Sequence, residues 1–185
     1  FGLADYGGKL YTLNQTTDQF MELNPTTGAT VTTTNIGVNV VGEGAMAFNS
    51  AGTLLFSASS GGVGSLYSST LNGSSTLISG NMAPSMDGMD FAAGGALYGI
   101  SQSSGGVIGL YTIDPSNGNT TFVGSTGINA TTNPGPLAGF AIRDDGAMFA
   151  AVGRSLYSIN SATGLGTFIG VTGYDQITGL TFLDE

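Results

Sequence analysis

The sequence predicts an all-β fold, a four-bladed β-propeller, on three observations. First, the chain repeats itself. Segments reading FMELNPTTGAT, LYSSTLNGSST, LYTIDPSNGNT and LYSINSATGLG begin at Phe20, Leu66, Leu110 and Leu156, so the starts lie 46, 44 and 46 residues apart. A period of that length, made of strand-like pieces, is the mark that propeller blades leave in a sequence. Second, each repeat breaks into short β-type runs separated by Gly, Asn and Pro turns. No run keeps helical spacing without a Gly, Pro or β-branched interruption. Third, the last repeat stops after its third strand, and the N-terminus carries a fitting fourth. Gly8-Lys9-Leu10-Tyr11-Thr12-Leu13 matches Gly95-Ala96-Leu97-Tyr98-Gly99-Ile100 position for position. The N-terminal strand is therefore expected to close the last blade and remove an open edge.

Within a repeat, the first strand carries the pairs Phe20-Met21, Leu66-Tyr67, Leu110-Tyr111 and Leu156-Tyr157. Alternation of Leu110, Thr112 and Asp114 against Tyr111 and Ile113 predicts a half-buried strand. Turns such as Asn24-Pro25-Thr26-Thr27-Gly28 and Asp114-Pro115-Ser116-Asn117-Gly118 follow, with Gly supplying the positive φ of a tight hairpin. The second strand is β-branched and aromatic: 29–34, 75–79, 120–123 and 167–171. The third is short, apolar and Gly-led, as in Gly88-Met89-Asp90-Phe91 and Gly139-Phe140-Ala141-Ile142, which suits a crowded central axis. The fourth follows a turn glycine at Gly52, Gly95 or Gly146. One domain over 1–185 results, with units of about 20–65, 66–109, 110–155, and 156–185 plus 8–14. Phe1 to Tyr6 also reads like a third strand, a second candidate for one position. It is expected to be a loop or arm, or a strand given to a neighbour, which makes Phe1, Leu3 and Tyr6 the assembly candidates. The connections 35–44 and 127–137 are expected to project from one face as binding loops.

Composition narrows the function classes. Charged residues are 8% of the chain and net charge is −9, with Lys9, Arg143 and Arg154 the only basic side chains. Nucleic-acid binding needs clustered Lys and Arg and is excluded; adhesion to anionic membranes is disfavoured for the same reason. No apolar run reaches membrane-spanning length. Without Cys there is no disulfide, thiolate nucleophile or Cys-ligated zinc; without His the ordinary base of a serine triad is missing. A surface dressed in Ser, Thr, Asn and Gly suits a protein that is extracellular or on the cell surface, glycosylated, or packed against its own copies. The opening Phe1, in place of Met, fits a chain processed from a longer precursor. Glycosylation candidates are the Asn-x-Ser/Thr sites at Asn14, Asn72, Asn119 and Asn129.

Candidate site residues are few. Asp87 and Asp90 flank the start of a third strand, and Asp90 falls where other repeats carry Ala47, Ala141 and Thr181. A lone acid among small residues can take a ligand or cation, and calcium is the first choice of metal because every ligand would be an oxygen, although no EF-hand spacing is present. A glycosidase would need two carboxylates flanking a sugar, with Asp87 or Asp90 as one of them. Asp144-Asp145-Gly146 reads as a turn. The recurring Tyr11, Tyr67, Tyr98, Tyr111 and Tyr157 read as packing between blades, whereas Tyr174 falls outside their register and is the aromatic ligand candidate.

The runs Leu110 to Gly118, Leu156 to Gly164 and Leu137 to Gly146 resemble repeats of secreted prokaryotic β-propeller proteins, and the likeness spans nearly the whole chain. The second repeat departs from the pattern at Ser69-Thr70-Leu71. The resemblance implies the architecture and leaves the activity open. The expectation is a non-enzymatic extracellular structural or interaction protein, without a cofactor, self-associating into a filament or sheath. The alternatives are a carbohydrate-binding propeller module, with glycans as partners, and a glycosidase-type enzyme.

Overall fold

A computed structural model describes residues 2–40, 42, 44–60, 63–102, 105–130 and 138–183. Every regular element among them is a strand. Four antiparallel four-stranded sheets follow one another along the chain. Blade 1 holds β1 (Ala4–Tyr6), β2 (Lys9–Asn14), β3 (Gln19–Leu23) and β4 (Thr30–Asn35). Blade 2 holds β5 (Met46–Phe48), β6 (Leu54–Ser60), β7 (Val63–Ser69) and β8 (Ser75–Met82). Blade 3 holds β9 (Gly88–Phe91), β10 (Leu97–Gln102), β11 (Val107–Ile113) and β12 (Thr120–Asn129). Blade 4 holds β13 (Ala138–Ile142), β14 (Met148–Val152), β15 (Ser155–Ile159) and β16 (Gly166–Val171). The all-β, four-bladed architecture is the expected one.

The blade boundaries differ from the expected closure. Each sheet is a simple meander, inner strand to outer strand, so the Gly-led strand opens a blade instead of standing third. The segment 8–14 does not complete the last repeat. It pairs with β1 on one side and β3 on the other, and the fourth sheet finds all its strands within 138–171. The reason is local. Gly7 and Gly8, at φ 60° and 72°, turn the chain straight back after Tyr6, so Lys9 pairs with Tyr6 and Leu10 with Asp5. A two-residue hairpin closes a much shorter loop than a ring closure from end to end. Ala4 to Tyr6 is thus an inner strand and not a spare arm.

The sequence turns recur as physical devices. Asn24, Asp114 and Asn160 each accept a backbone N–H two residues on, from Thr26, Ser116 and Ala162 at 2.9, 2.9 and 3.0 Å. Near the axis, small residues let inner strands approach. A Cβ on Gly88 would sit 2.8 Å from the Phe140 side chain, and one on Gly139 would sit 2.9 Å from the Gly179 carbonyl carbon.

Three apolar clusters join the blades. Blades 1 and 2 meet through Tyr11, Leu13 and Phe20 against Phe48, Leu54 and Phe56. Blades 2 and 3 meet through Leu55, Leu66 and Met82 against Met89, Leu97 and Ile113. Blades 3 and 4 meet through Ile100, Leu110 and Ile128 against Phe140, Met148 and Ile159. Among the described residues, no such cluster joins blade 4 to blade 1. There the extended segment Gly179 to Phe182 lies along the axis, contacting Gly139 on one side and Leu3 on the other. The recurring tyrosines pack as expected: Tyr11 is in the first cluster, and Tyr67, Tyr98, Tyr111 and Tyr157 lie against one of the three.

Candidate functional site at the axial mouth

The inner strands all run the same way along the axis, so their C-terminal ends gather at one face. The cavity there measures about 530 Å³ and is framed by the turns that follow β1, β5, β9 and β13. Register places Asp5, Phe48, Phe91 and Ile142 at matching positions, each opposite the first apolar residue of the next strand: Leu10, Leu54, Leu97 and Met148. Phe182 continues the series on the fifth inner segment. At this position the wall is apolar except at Asp5, while Asp90 and the residues of the rim make the exposed lining polar in the main. Asn49, Ser50, Arg143 and Asp144 form a polar rim.

Asp90 lies one position earlier, in the series Ala47, Asp90, Ala141, Thr181. Its Oδ2 accepts the Ile142 N–H of the neighbouring blade at 2.7 Å, and its Oδ1 accepts the Phe91 N–H at 2.8 Å. Two steps further round the ring, Thr181 makes the opposite contact across the next gap, where its hydroxyl donates to Asp5 Oδ1 at 2.6 Å. Burial pushes the Asp90 carboxyl up from 3.8 to about 7, against the opposing pull of those two N–H donors; the negative charge of Asp5 adds to the rise. Two carboxyls thus share one mouth, and one of them exchanges its proton near neutrality.

Asp87 belongs elsewhere. It is 8% exposed, accepts the Gln102 N–H at 2.8 Å, and lies at the opposite end of the axis beside a cavity of about 10 Å³, too small for more than a water molecule. Asp87 and Asp90 therefore do not form the carboxylate pair that a sugar hydrolase requires. The acid that Asp90 does feel is Asp5, which the sequence reading passed over. The Gly2 to Asp5 match to Gly88 to Phe91 could have found it, because it shows an acid replacing a wall aromatic.

Asp145 behaves as a turn residue. It accepts Arg143 Nε at 3.0 Å and the Ala147 N–H at 3.0 Å, and Arg143 holds its carboxyl down at about 2. Arg143 also lies over the Phe149 ring, 5.7 Å from its centroid.

Of the assembly candidates, Phe1 lies outside the described residues. Leu3 is half-buried against Gly179, and Tyr6 stacks on Phe48 at 5.3 Å, so both are engaged within the ring. Asn72 and Asn119 are exposed in turns between outer strands, while Asn14 and Asn129 are half-buried at strand ends. Tyr174 is 72% exposed. Its amide nevertheless meets the Thr172 hydroxyl as that of Ile128 meets the Thr126 hydroxyl, and both threonines cap the carbonyl at the matching place, Arg154 and Ile108. Tyr174 therefore does stand in the repeat register, at a place where blade 3 puts a core residue. Among the described residues no three acidic side chains gather to hold a metal ion, and no helix is long and apolar enough to cross a membrane.

No family model and no curated protein matches the sequence. Solved structures do match the fold. A chain of a nidogen–laminin complex aligns with TM-score 0.63 at 11% identity, over 97% of this chain and 66% of its own. A gluconolactonase from Xanthomonas campestris aligns with TM-score 0.61 at 17% identity, over 94% and 62%. A luciferin-regenerating enzyme aligns with TM-score 0.58 at 18% identity, over 97% and 64%. At such identities the likeness is one of fold alone, and the set mixes enzymes with a protein–protein complex. The chain spans 44% of the length of TolB from Acinetobacter baumannii and 71% of that of an aldose sugar dehydrogenase from Streptomyces coelicolor.

Proposed function

We propose that this protein is a non-enzymatic binding propeller of the cell exterior, and that its axial mouth takes a small polyhydroxylated ligand, a sugar residue. The observation that carries this reading is the pairing of Asp5 and Asp90 at the floor of a cavity of about 530 Å³ with aromatic walls. Small-molecule sites are concave and oriented by a few converging polar groups, with volumes of roughly 300–1,000 Å³, and the polar lining here suits a ligand rich in hydroxyls. Carboxyls accept from neighbouring hydroxyls, and Asp90 in its protonated form also donates. Phe91 and Phe182 offer faces for the C–H side of a sugar ring. The exterior setting and a glycan coat are supported by the 8% charged fraction and by the exposure of Asn72 and Asn119. Intact mass above 18.5 kDa in material from the native host would establish the coat, and the bare mass would remove it.

The test is titration of neutral hexoses and N-acetylhexosamines into isotope-labelled protein, followed by amide shifts. One of these sugars is expected to bind saturably, at about millimolar strength (about −4 kcal/mol), moving the Phe91 and Ile142 amides. Asp90→Asn should weaken it about tenfold. No shift at those amides with any sugar would overturn the reading.

A second reading, structural self-assembly, is favoured by β16. Its Phe168, Ile169 and Val171 are 56%, 50% and 60% exposed on an outer strand. Concentration-dependent polymers, visible by electron microscopy and lost in Ile169→Lys, would support it. Monodisperse monomers would end it.

A further inference from the structure

The ring has three finished interfaces and one unfinished one, and the unfinished one has the same design. Each inner strand sits on the glycine or alanine of the one before it. A Cβ on Gly88 would meet Phe140, one on Gly139 would meet Leu180, and one on Gly179 would meet Leu3. Gly179 to Phe182, which forms no regular element, thus takes the place of a fifth inner strand, with the Gly-led pattern of Gly139 to Ile142. Among the described residues no further strand pairs with it, and both neighbouring faces are left uncovered.

On blade 4, Leu156 is half-buried where Phe20, Leu66 and Leu110 are 5%, 0% and 0% exposed. Ile169 sits at the strand bulge that Ile78 and Val123 occupy in blades 2 and 3. Those two pack on the next blade, whereas Ile169 is 50% exposed. Tyr174 is 72% exposed where Ile128 is 5%. Across the wedge, on blade 1, Leu10 and Leu23 are half-buried where Leu97 and Ile113 are 1% and 4% exposed.

We propose that this wedge seats a three-stranded β-meander of blade type, continuing from Phe182 in the same polypeptide and pairing with the free edge of Gly179 to Phe182 to make a fifth blade. A second copy of the ring fits poorly. Its own blade 1 would bring an inner strand to the place that Gly179 to Phe182 already fills. The meander's faces are specified: one apolar toward Leu156, Ile169 and Tyr174, the other toward Leu10, Met21 and Leu23. The proposal does not rest on the ligand reading: its uncovered faces, Leu156, Ile169 and Tyr174 on one side and Leu10, Met21 and Leu23 on the other, do not line the axial mouth, and the two share only Phe182.

The test grafts the chain's own strands onto the fifth one. Residues 143–171 in one variant, and 92–129 in another, are joined after Phe182, which stands where Ile142 and Phe91 stand. In at least one variant, amide exchange at 178–182 should slow on the order of 100-fold. Nitration of Tyr174 by tetranitromethane, read by mass, should fall at least about fivefold. Both grafts leaving Tyr174 as reactive as before, on a ring that stays folded, would overturn the proposal. So would a dimer of the 185-residue chain by light scattering that protects Tyr174 and falls apart in Ile169→Lys.

Discussion

The junction of blades 3 and 4 and the gap between blades 4 and 1 are made from the same repeat, yet one is a core and the other a surface. Leu110 and Leu156 hold the same place in the repeat and meet opposite fates: the first is fully buried and the second is half-open. The residue type does not decide this. What decides it is whether a neighbouring sheet is there to cover the face. Hydrophobic pattern in a repeat protein therefore records the interface each unit is built to make, and a pattern left uncovered points to a missing neighbour.

The comparison can be broken by deletion. Leu110→Ala should cost about 2–5 kcal/mol, as expected for a fully buried leucine, while Leu156→Ala should cost about 1 kcal/mol. Urea unfolding of both variants measures the difference. Equal losses would mean that the far face of blade 4 is as well covered as that of blade 3.

A smaller effect sharpens the view of the axis. Asp90 titrates near 7 in the folded protein and near 3.8 when unfolded. The folded chain thus keeps a proton that the unfolded chain releases. Stability should fall as pH rises from about 4 to 7, by on the order of a few kcal/mol, and then level off. Asp90→Asn should flatten that slope; its single oxygen can serve only one of the two N–H donors, so part of the gain at high pH is lost. An unchanged slope in the variant would place the titrating group elsewhere. Asp5 and Asp144 are the other acids facing the mouth.

The blade count and strand content were legible because they rest on local signals: a period near 45 residues, Gly turns and alternation. The phase of the blades was not. A repeat reads the same from any starting strand, and the match of 8–13 to 95–100 holds whether that segment ends one blade or sits inside another. The two glycines after Tyr6 settle it, because they commit the chain to a hairpin before any distant strand can compete. Half of the site was legible too. Asp90 stood out as an acid among small residues, but Asp5 was hidden by reading Phe1 to Tyr6 as a spare arm, and nearness in sequence left Asp87 as an equal candidate beside Asp90. Along a strand, residues three apart point to opposite faces, and here they also lie at opposite ends of the axis. The exposure of Tyr174 was foreseen for the wrong reason: it stands in the repeat register, at the place of Ile128, on a face that no other blade covers among the described residues.

Hydrogen exchange on the 185-residue chain, followed peptide by peptide, tests the asymmetry of the ring most directly. Ala138 to Ile142, paired to β14 and covered on both sides, should exchange only through unfolding of the ring. Gly179 to Phe182, built to the same pattern but lacking sheet partners, should exchange orders of magnitude faster. Equal protection of the two segments would contradict the account, because it would mean that the fifth inner strand already has its sheet.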